Sequence, residues 1–272
     1  MIDWKLTQEY NYKQGTVRYD IQGDGPPVVL VHGTPWSSFN WRHVVAALAS
    51  SFSVYYYDLI GYGQSEKRDG QDVSLAVQNQ VLAELLDHWG LDEPMIVGHD
   101  FGGTTVLRTH LIGKRSFERM VLVDPVAVAP WGSDFFRHVN QHEAVFQDLP
   151  PYIHEAVVTA YVRGAMHQPM PPDTLAGIVA PWLGPEGQRG FYRQIAQADQ
   201  RFTDEVEPKY GSIDCPVLIV WGEEDQWIPI DRGRKLHAAM AESRFVSIPD
   251  AGHLVQEDAP AELVSQLLGI LR

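Results

Sequence analysis

The segment VGHDFGG, residues 97–103, constrains the fold of this chain more than any other stretch. It follows a short apolar run and precedes a helical pattern, so it predicts a sharp turn from a strand into a helix. A small residue stands two places before Asp100 and another two places after it. A strained turn requires this, because residues beside it cannot carry bulk. Asp100 is therefore expected at the centre of the turn.

A carboxylate at the start of a helix can play two roles. Asp is a good N-cap residue, so Asp100 could serve only to cap the helix. The helix dipole and the free N–H groups also favour negative charge there. A carboxylate is moreover a nucleophile that needs no base to activate it, unlike a serine hydroxyl. The segment alone leaves both roles open.

Short runs rich in Val, Ile and Tyr alternate with helical patterns on both sides of this turn. Runs of this kind, bounded by Gly, Pro or Asp, are typical of buried parallel strands. Alternation of such strands with helices implies a mostly parallel sheet flanked by helices, an α/β fold. The predicted strands are 28–31, 54–57, 95–97, 120–123, 217–221 and 245–248, and the predicted helices between them are 41–48, 75–89 and 104–112.

The alternation stops between residues 127 and 203. This stretch is rich in aromatic residues and Pro, and it carries helical patterns near 135–146, 153–166 and 188–200. We predict a helical cap domain over 127–203, inserted after the sixth strand of a core domain that comprises 1–126 and 204–272. The aromatic composition suggests an apolar pocket for a small-molecule substrate.

Composition excludes several classes of protein. The net charge of −14, from 35 acidic and 21 basic residues, argues against a nucleic-acid surface. No apolar stretch approaches the roughly 20 residues of a membrane helix, and the first residues lack a signal-peptide pattern. The single cysteine, Cys215, fits a reducing compartment, so a cytoplasmic location is expected. No metal cluster, phosphate loop or dinucleotide fingerprint is present, so we expect neither a metal nor a cofactor. The oligomeric state cannot be read from the sequence.

Three further loops follow predicted strands. HGTP at 32–35 could aim the Thr34 N–H at Asp100 and form a two-donor oxyanion hole with the N–H of Phe101, although Gly and Pro also make ordinary turns. GEEDQWIP at 222–229 contains Asp225, a candidate orienting acid. AGH at 251–253 contains His253, a candidate base. A lone Asp or His in a loop is usually only solvated, but nucleophile, acid and histidine in this chain order match a hydrolase layout.

These motifs together, with DLIGYGQS at 58–65, resemble the α/β-hydrolase superfamily over essentially the whole chain. The aspartate at 100 is similar to that of the aspartate-nucleophile branch, which includes epoxide hydrolases and haloalkane and haloacetate dehalogenases. The resemblance implies that Asp100 attacks carbon to form an alkyl ester and that His253, oriented by Asp225, activates the water that hydrolyses it. Some dehalogenases place the acid where this chain has Asp124. We favour Asp225, because its sequence context is the more usual one.

The residues typical of halide binding are missing. Haloalkane dehalogenases carry Trp directly after the nucleophile and many carry Asn in the first loop, where this chain has Phe101 and Thr34. Haloacetate dehalogenases carry arginines after the nucleophile, which this chain lacks. Trp131, Trp182 or His142 of the insertion could still supply a donor to a halide.

Epoxide hydrolases tolerate Phe after the nucleophile, and two cap tyrosines protonate the opening oxygen. Tyr192 resembles the second of these tyrosines. The first should lie near His142, where Tyr152 or Tyr161 could replace it. The sequence thus favours an epoxide hydrolase that adds water to a small or medium apolar epoxide. The alternatives are a haloalkane or haloacid dehalogenase with a non-standard halide site and, more remotely, a non-catalytic ligand-binding protein on a hydrolase scaffold.

Overall fold

The computed structural model describes residues 3–272, which form an eight-stranded sheet flanked by helices. The strand order is β1-β2-β4-β3-β5-β6-β7-β8; β2 is antiparallel to both β1 and β4, and all other neighbours are parallel. This confirms the predicted fold class. The strands are β1 Gln8–Tyr12, β2 Gly15–Gln22, β3 Pro27–Val31, β4 Ser53–Tyr57, β5 Met95–His99, β6 Met120–Val123, β7 Val217–Gly222 and β8 Ser243–Ile248.

The helices fall into a group that flanks the sheet and a group of four that is inserted between β6 and β7. The helices of the sheet layers are α1 Arg42–Leu48, α2 Leu75–Trp89, α3 Phe101–Leu111, α8 Arg201–Asp204, α9 Asp231–Ala239, α10 Val255–Asp258 and α11 Pro260–Leu271. Five α-helices lie between β6 and β7, and the first four of them are here called the cap helices: α4 Asp134–Gln147, α5 Pro151–Arg163, α6 Pro172–Val179 and α7 Gly184–Ala196. Short 3₁₀ segments span Ser38–Trp41, Ala180–Trp182 and Glu207–Ser212.

The sheet is apolar on both faces, as its parallel strands require. Val29 and Val31 of β3 face one hydrophobic layer with α2 and α3, while Val28 and Leu30 face a second layer. Helices α1 and α11 pack together in the second layer. Because both layers fix the sheet, the loops at the carboxyl ends of its strands are held on a rigid support.

Some elements differ from the sequence prediction. The hairpin of β1 and β2 and helix α6 were not predicted, and α7 begins and ends four residues before the expected 188–200. Helix α4 is broken at His142, whose φ of −136° is not helical. These differences change which side chains the cap helices turn toward the sheet.

Direct contacts join the cap helices to the core. Trp182 donates its indole N–H to the carbonyl of Pro35 at 2.7 Å. Gln197, just after α7, accepts from the N–H of Val73 at 2.7 Å. The Arg42 guanidinium donates to the Thr174 hydroxyl of α6 at 3.1 Å. The cap helices therefore lie over the loops that carry the candidate site residues.

Candidate active site

Asp100 stands at the turn between β5 and α3 with a backbone that non-glycine residues rarely adopt, φ 53° and ψ −123°. A Cβ at Gly102 would lie 2.2 Å from the carbonyl oxygen of Val31, and one at Gly98 would lie 2.7 Å from that of Gly102. The small residues predicted around the turn are thus required by close backbone approach. The turn leaves Asp100 only 3% exposed, with its side chain at the floor of a cavity.

The backbone N–H of Thr34 donates to Oδ1 of Asp100 at 2.6 Å. The N–H of Phe101 is the first of α3 and has no acceptor within its own helix. Both donors come from the two loops in which the sequence predicted them. This arrangement can stabilise negative charge that develops at the Asp100 carboxyl.

His253 lies between two carboxylates. Its Nε2 atom is 3.3 Å from Oδ2 of Asp100 and its Nδ1 atom is 2.8 Å from Oδ2 of Asp225. The other oxygen of Asp225 accepts from the N–H groups of Trp227 and Ile228 at 2.8 and 2.9 Å. The structure therefore brings together the predicted nucleophile, base and acid.

The electrostatic setting of His253 favours its charged form. Burial acts to lower the pKa of His253, but the charge of Asp225 and the nearby carboxylate of Asp100 outweigh it and raise the pKa well above its usual value. His99 fixes the backbone of this loop, because its Nε2 atom bonds to the His253 carbonyl at 2.8 Å. Burial, followed by the charge of His253, lowers the pKa of His99, so that ring stays neutral.

Asp124, the alternative acid, lies beside this group rather than in place of Asp225. Its Oδ1 atom accepts from the N–H of Gly222 at 2.9 Å, and no atom of His253 forms a hydrogen bond with it within residues 3–272. Asp225 is the carboxylate that holds His253.

A cavity of about 180 Å³ opens above Asp100 and Thr34. Its volume suits a small molecule, and aromatic and aliphatic side chains provide most of its wall. Its apolar lining includes Phe101, Val126, Trp131, Phe136, Trp227 and Ile228. Tyr161 of α5 adds a hydroxyl to this wall, and that hydroxyl forms no hydrogen bond within the described chain.

The three cap residues proposed from the sequence are not in this cavity. Tyr152 is 71% exposed, and His142 is exposed at the break in α4. Tyr192 is fully buried, and its hydroxyl lies 3.1 Å from Nδ1 of His154. Tyr152 and Tyr161 are nine residues apart, which is two and a half helical turns, so only one of them can face the sheet. The structure turns Tyr161 toward Asp100.

Helix α7 places Gln194, instead of Tyr192, next to Thr34 at the candidate site. Its Oε1 atom accepts from the hydroxyl of Thr34 and from that of Tyr62, the latter at 3.1 Å. Residues two apart on a helix lie on opposite sides, so Gln194 faces Thr34 where Tyr192 faces His154. The sequence analysis did not identify Gln194. Only the rotation of α7 about its own axis, which determines the side chains that face the core, could have revealed it.

The two indole N–H groups considered as donors to a halide already form hydrogen bonds with other protein groups. Trp131 donates to the hydroxyl of Thr203 at 2.8 Å, and Trp182 donates to Pro35. Trp36 is different: it is 1% exposed, it stacks on Trp227, and its N–H has no acceptor within residues 3–272.

The part of the chain that the structure describes lacks both a metal-binding cluster and a membrane-spanning helix. Residues 3–272 contain no group of three or more His, Cys, Asp or Glu side chains placed to hold a metal ion. In the same range, none of the helices has the length and apolar character needed to cross a membrane.

The sheet and the polar side chains at its carboxyl edge define a hydrolase of the α/β class. The chain belongs to the alpha/beta hydrolase family, whose model matches residues 28–266. It is similar to the crystal structure of an alpha/beta hydrolase fold protein from Burkholderia ambifaria, with 47% identity, a TM-score of 0.95 and coverage of 98% of each chain.

Two more distant relatives have names that state an enzymatic activity. Haloalkane dehalogenase 2 of Mycobacterium tuberculosis is 24% identical over 95% of this chain and 92% of that protein. The structure of the epoxide hydrolase CorEH matches 98% of this chain and all of that one, with 22% identity and a TM-score of 0.76. At these identities the structural likeness shows the fold alone.

Proposed function

We propose that this hydrolase works through a covalent alkyl ester on Asp100 and adds water to small apolar epoxides. The observation that carries the choice of epoxide is Tyr161, whose hydroxyl has no protein partner and lines the same small cavity as Asp100. Burial and the negative charge of Asp100 raise the pKa of Tyr161 well above its usual value, so the hydroxyl keeps its proton at neutral pH. It can then donate to the strongly basic oxygen of an opening ring.

In the first step, a carboxylate oxygen of Asp100 attacks a ring carbon of the epoxide. The carbon–oxygen bond of the ring breaks, and its oxygen takes the proton of Tyr161. The product is a hydroxyalkyl ester of Asp100. The apolar wall of the cavity holds the carbon chain and keeps bulk water away from the carboxylate.

In the second step, His253 takes a proton from water, and the resulting hydroxide attacks the ester carbonyl of Asp100. The N–H groups of Thr34 and Phe101 hold the oxyanion that forms. When this intermediate collapses, the leaving oxygen of the diol takes the proton that His253 removed from water. The proton of the resulting Asp100 carboxylic acid returns to the Tyr161 oxygen, which regenerates the Asp100 carboxylate. Asp225 keeps the imidazole in place and stabilises its positive charge. The reactants are a small apolar substrate and water, and Asp225 rather than Asp124 is the orienting acid.

The division into a core domain and a cap domain is part of this proposal. The cap helices supply Tyr161 and Gln194, and the loops of the sheet supply Asp100, Asp225 and His253. Variation in the cap helices would then change the substrate without changing the two chemical steps.

Trp36 supports dehalogenation as a second candidate. Its buried N–H has no acceptor and lies near His253, with the two rings 6.5 Å apart. The relative from Mycobacterium tuberculosis that bears the name haloalkane dehalogenase also favours this reading. In this alternative Asp100 displaces a halide, and the Trp36 N–H would donate a hydrogen bond to that halide as it leaves.

A paired assay tests the proposal. Purified protein is given 1,2-epoxyhexane or 1-bromohexane, and diol and bromide are measured. We expect diol formation that falls about 100-fold or more in Tyr161→Phe and is unchanged in Tyr152→Phe, a control on the opposite side of α5. Bromide release without diol, lost in Trp36→Phe, would establish the second candidate instead.

A further inference from the structure

A second cleft, of about 320 Å³, lies between helix α7 and the loop that follows β4. It shares no lining residue with the cavity above Asp100. All of its lining side chains are charged, and we call it the basic cleft because its cations outnumber its carboxylates. The cations are Lys67, Arg68, Arg189 and Arg193, and the carboxylates are Glu66, Asp69 and Glu186. A positive excess stands out in a chain whose net charge is −14.

Two cations of the basic cleft are withdrawn from solvent, whereas two of its carboxylates are exposed. Arg193 is 6% exposed, and Lys67 lies against Gly190 of α7, where an added Cβ would be 3.1 Å from its Cδ atom. The side chain of Asp69 is 73% exposed, and Glu186 is exposed as well. A cation that has lost its water needs a negative partner, because an unpaired buried charge is costly.

The ammonium of Lys67 has no such partner. Its one hydrogen bond goes to the carbonyl of Gly63, and no carboxylate of residues 3–272 lies within ion-pairing distance of it. The buried carboxylate of Asp58 is already held by the N–H groups of Ser38 and Gln64, at 2.7 and 2.6 Å. Two of the three protons of the ammonium therefore remain available to a ligand.

The two guanidiniums of α7 are also short of acceptors. Arg189 and Arg193 both donate to the same atom, Oδ1 of Asp69, at 2.8 and 3.2 Å. Neither forms another hydrogen bond within the described chain. Each guanidinium carries five N–H donors, so most of them are free. The basic cleft thus offers unpaired donors from both of its walls, an ammonium from the loop and two guanidiniums from the helix.

We propose that the basic cleft binds a small oxyanion of the phosphate or carboxylate class, held by Lys67, Arg189 and Arg193. The cleft is large enough for such a group, and the planar fork of a guanidinium matches two of its oxygens. The bound oxyanion joins the loop after β4 to helix α7, so it stabilises the folded chain as its occupancy rises. This binding does not depend on the chemistry proposed at Asp100.

Calorimetric titration of the full chain with inorganic phosphate and, separately, with succinate tests the proposal and distinguishes the two classes of oxyanion. Potassium chloride keeps the ionic strength constant, because salt screens exposed charges. We expect saturable binding of at least one probe, weakened about tenfold or more in Lys67→Met. The control is Arg234→Met, which removes an exposed cation of α9 outside the basic cleft and should bind as the wild type does.

Two results would overturn the proposal: saturable binding of neither probe, or binding that Lys67→Met leaves unchanged. Circular dichroism reports whether this variant is folded. If it is not, Arg189→Gln replaces it, with the same expectation, because the side chain of Arg189 is 40% exposed and its loss leaves no cavity in the core.

The pH dependence of binding tests the part played by Lys67. The charged groups around it are Asp58 and the side chains of the basic cleft, and burial outweighs their effect and lowers the pKa of Lys67 to about 8. An anion favours the ammonium form, so affinity should fall about tenfold between roughly pH 7 and pH 9. Neither probe loses negative charge as the pH rises, so such a fall comes from the protein. Lys67→Arg stays charged and should keep its affinity; a wild-type affinity that stays level, or an equal fall in Lys67→Arg, would contradict the assignment.

Discussion

The Nε2 atom of His253 lies 3.3 Å from the Oδ2 atom of Asp100, while the opposite ring nitrogen is held by Asp225 at 2.8 Å. In the proposed mechanism, the imidazole therefore lies between a carboxylate that reacts and one that does not. The ester proposed on Asp100 would carry no negative charge. The His253 ring then loses one of the two interactions that favour its protonated form, and it becomes available as a base at that point of the cycle.

This relationship predicts the effect of neutralising Asp100. Burial opposes the charged form of His253, and the carboxylates raise its pKa despite that burial. Removal of one carboxylate charge must lower that pKa. We expect the Asp100→Asn variant, which resembles the ester in charge, to show a lower titration midpoint of the His253 ring by NMR. The exposed, distant variant Asp231→Asn should leave the midpoint unchanged. An unchanged or higher midpoint in Asp100→Asn would contradict the assignment of the pair.

A substitution at Gly33 tests whether Asp100, the proposed nucleophile, reacts from the position that the structure gives it. A Cβ added at Gly33 would lie 2.2 Å from Oδ1 of Asp100, so the carboxylate would have to leave the position in which Thr34 holds it. We expect Gly33→Ala to lower kcat/KM by roughly 100-fold or more, because small misplacement of reacting groups is that costly. Circular dichroism should remain that of the wild type. The control is Gly269→Ala in α11, where a Cβ meets nothing within 4 Å. Full activity of Gly33→Ala would show that Asp100 does not react from this position.

The Arg42–Glu257 ion pair predicts a stability effect. Both side chains are buried, at 7% and 3% exposure, and Arg42 also bonds to Thr174 of the cap helices. Glu257→Ala leaves a buried, unpaired guanidinium, which costs about 3–5 kcal/mol. Urea unfolding should show this loss. The exposed pair of Arg234 and Asp231 provides the comparison, and Arg234→Ala should change the unfolding midpoint little. A loss below about 1 kcal/mol in Glu257→Ala would mean that water reaches the pair.

The residues of the core could be placed from the sequence because local patterns specify them. Asp100 and Asp225 follow β5 and β7, which are buried and mostly apolar, and His253 follows β8, whose second half is mostly apolar. Parallel strands bring such loops to one edge of a sheet. The small residues at 98 and 102 signal the turn at Asp100 for steric reasons that the structure makes explicit. The edge hairpin of β1 and β2 was harder to predict, because its burial alternates with exposure and its sequence is polar.

The cap residues could not be placed, because a helix boundary shifted by a few residues changes which side faces inward. Helix α7 starts at Gly184, four residues before the predicted start, and it turns Gln194 rather than Tyr192 toward Thr34. The choice of Tyr161 over Tyr152 depends in the same way on the phase of α5. Aromatic side chains occur on more than one side of these helices, so the sequence pattern does not show which side faces the sheet. Tertiary packing determines that side.

The central claim is the covalent ester on Asp100, and intact mass of the His253→Gln variant tests it most directly. The variant is mixed with equal amounts of 1,2-epoxyhexane and 1-bromohexane, and Asp100→Asn in the same background serves as the control. Because the base of the second step is missing, we predict an accumulated ester that carries the hydroxyalkyl group, one oxygen heavier than the alkyl ester from the bromide, mapped to Asp100 and absent in the control. The lighter adduct would mean that a halide is the leaving group. An unmodified protein, with a wild type that turns over the epoxide, would contradict the aspartate nucleophile itself.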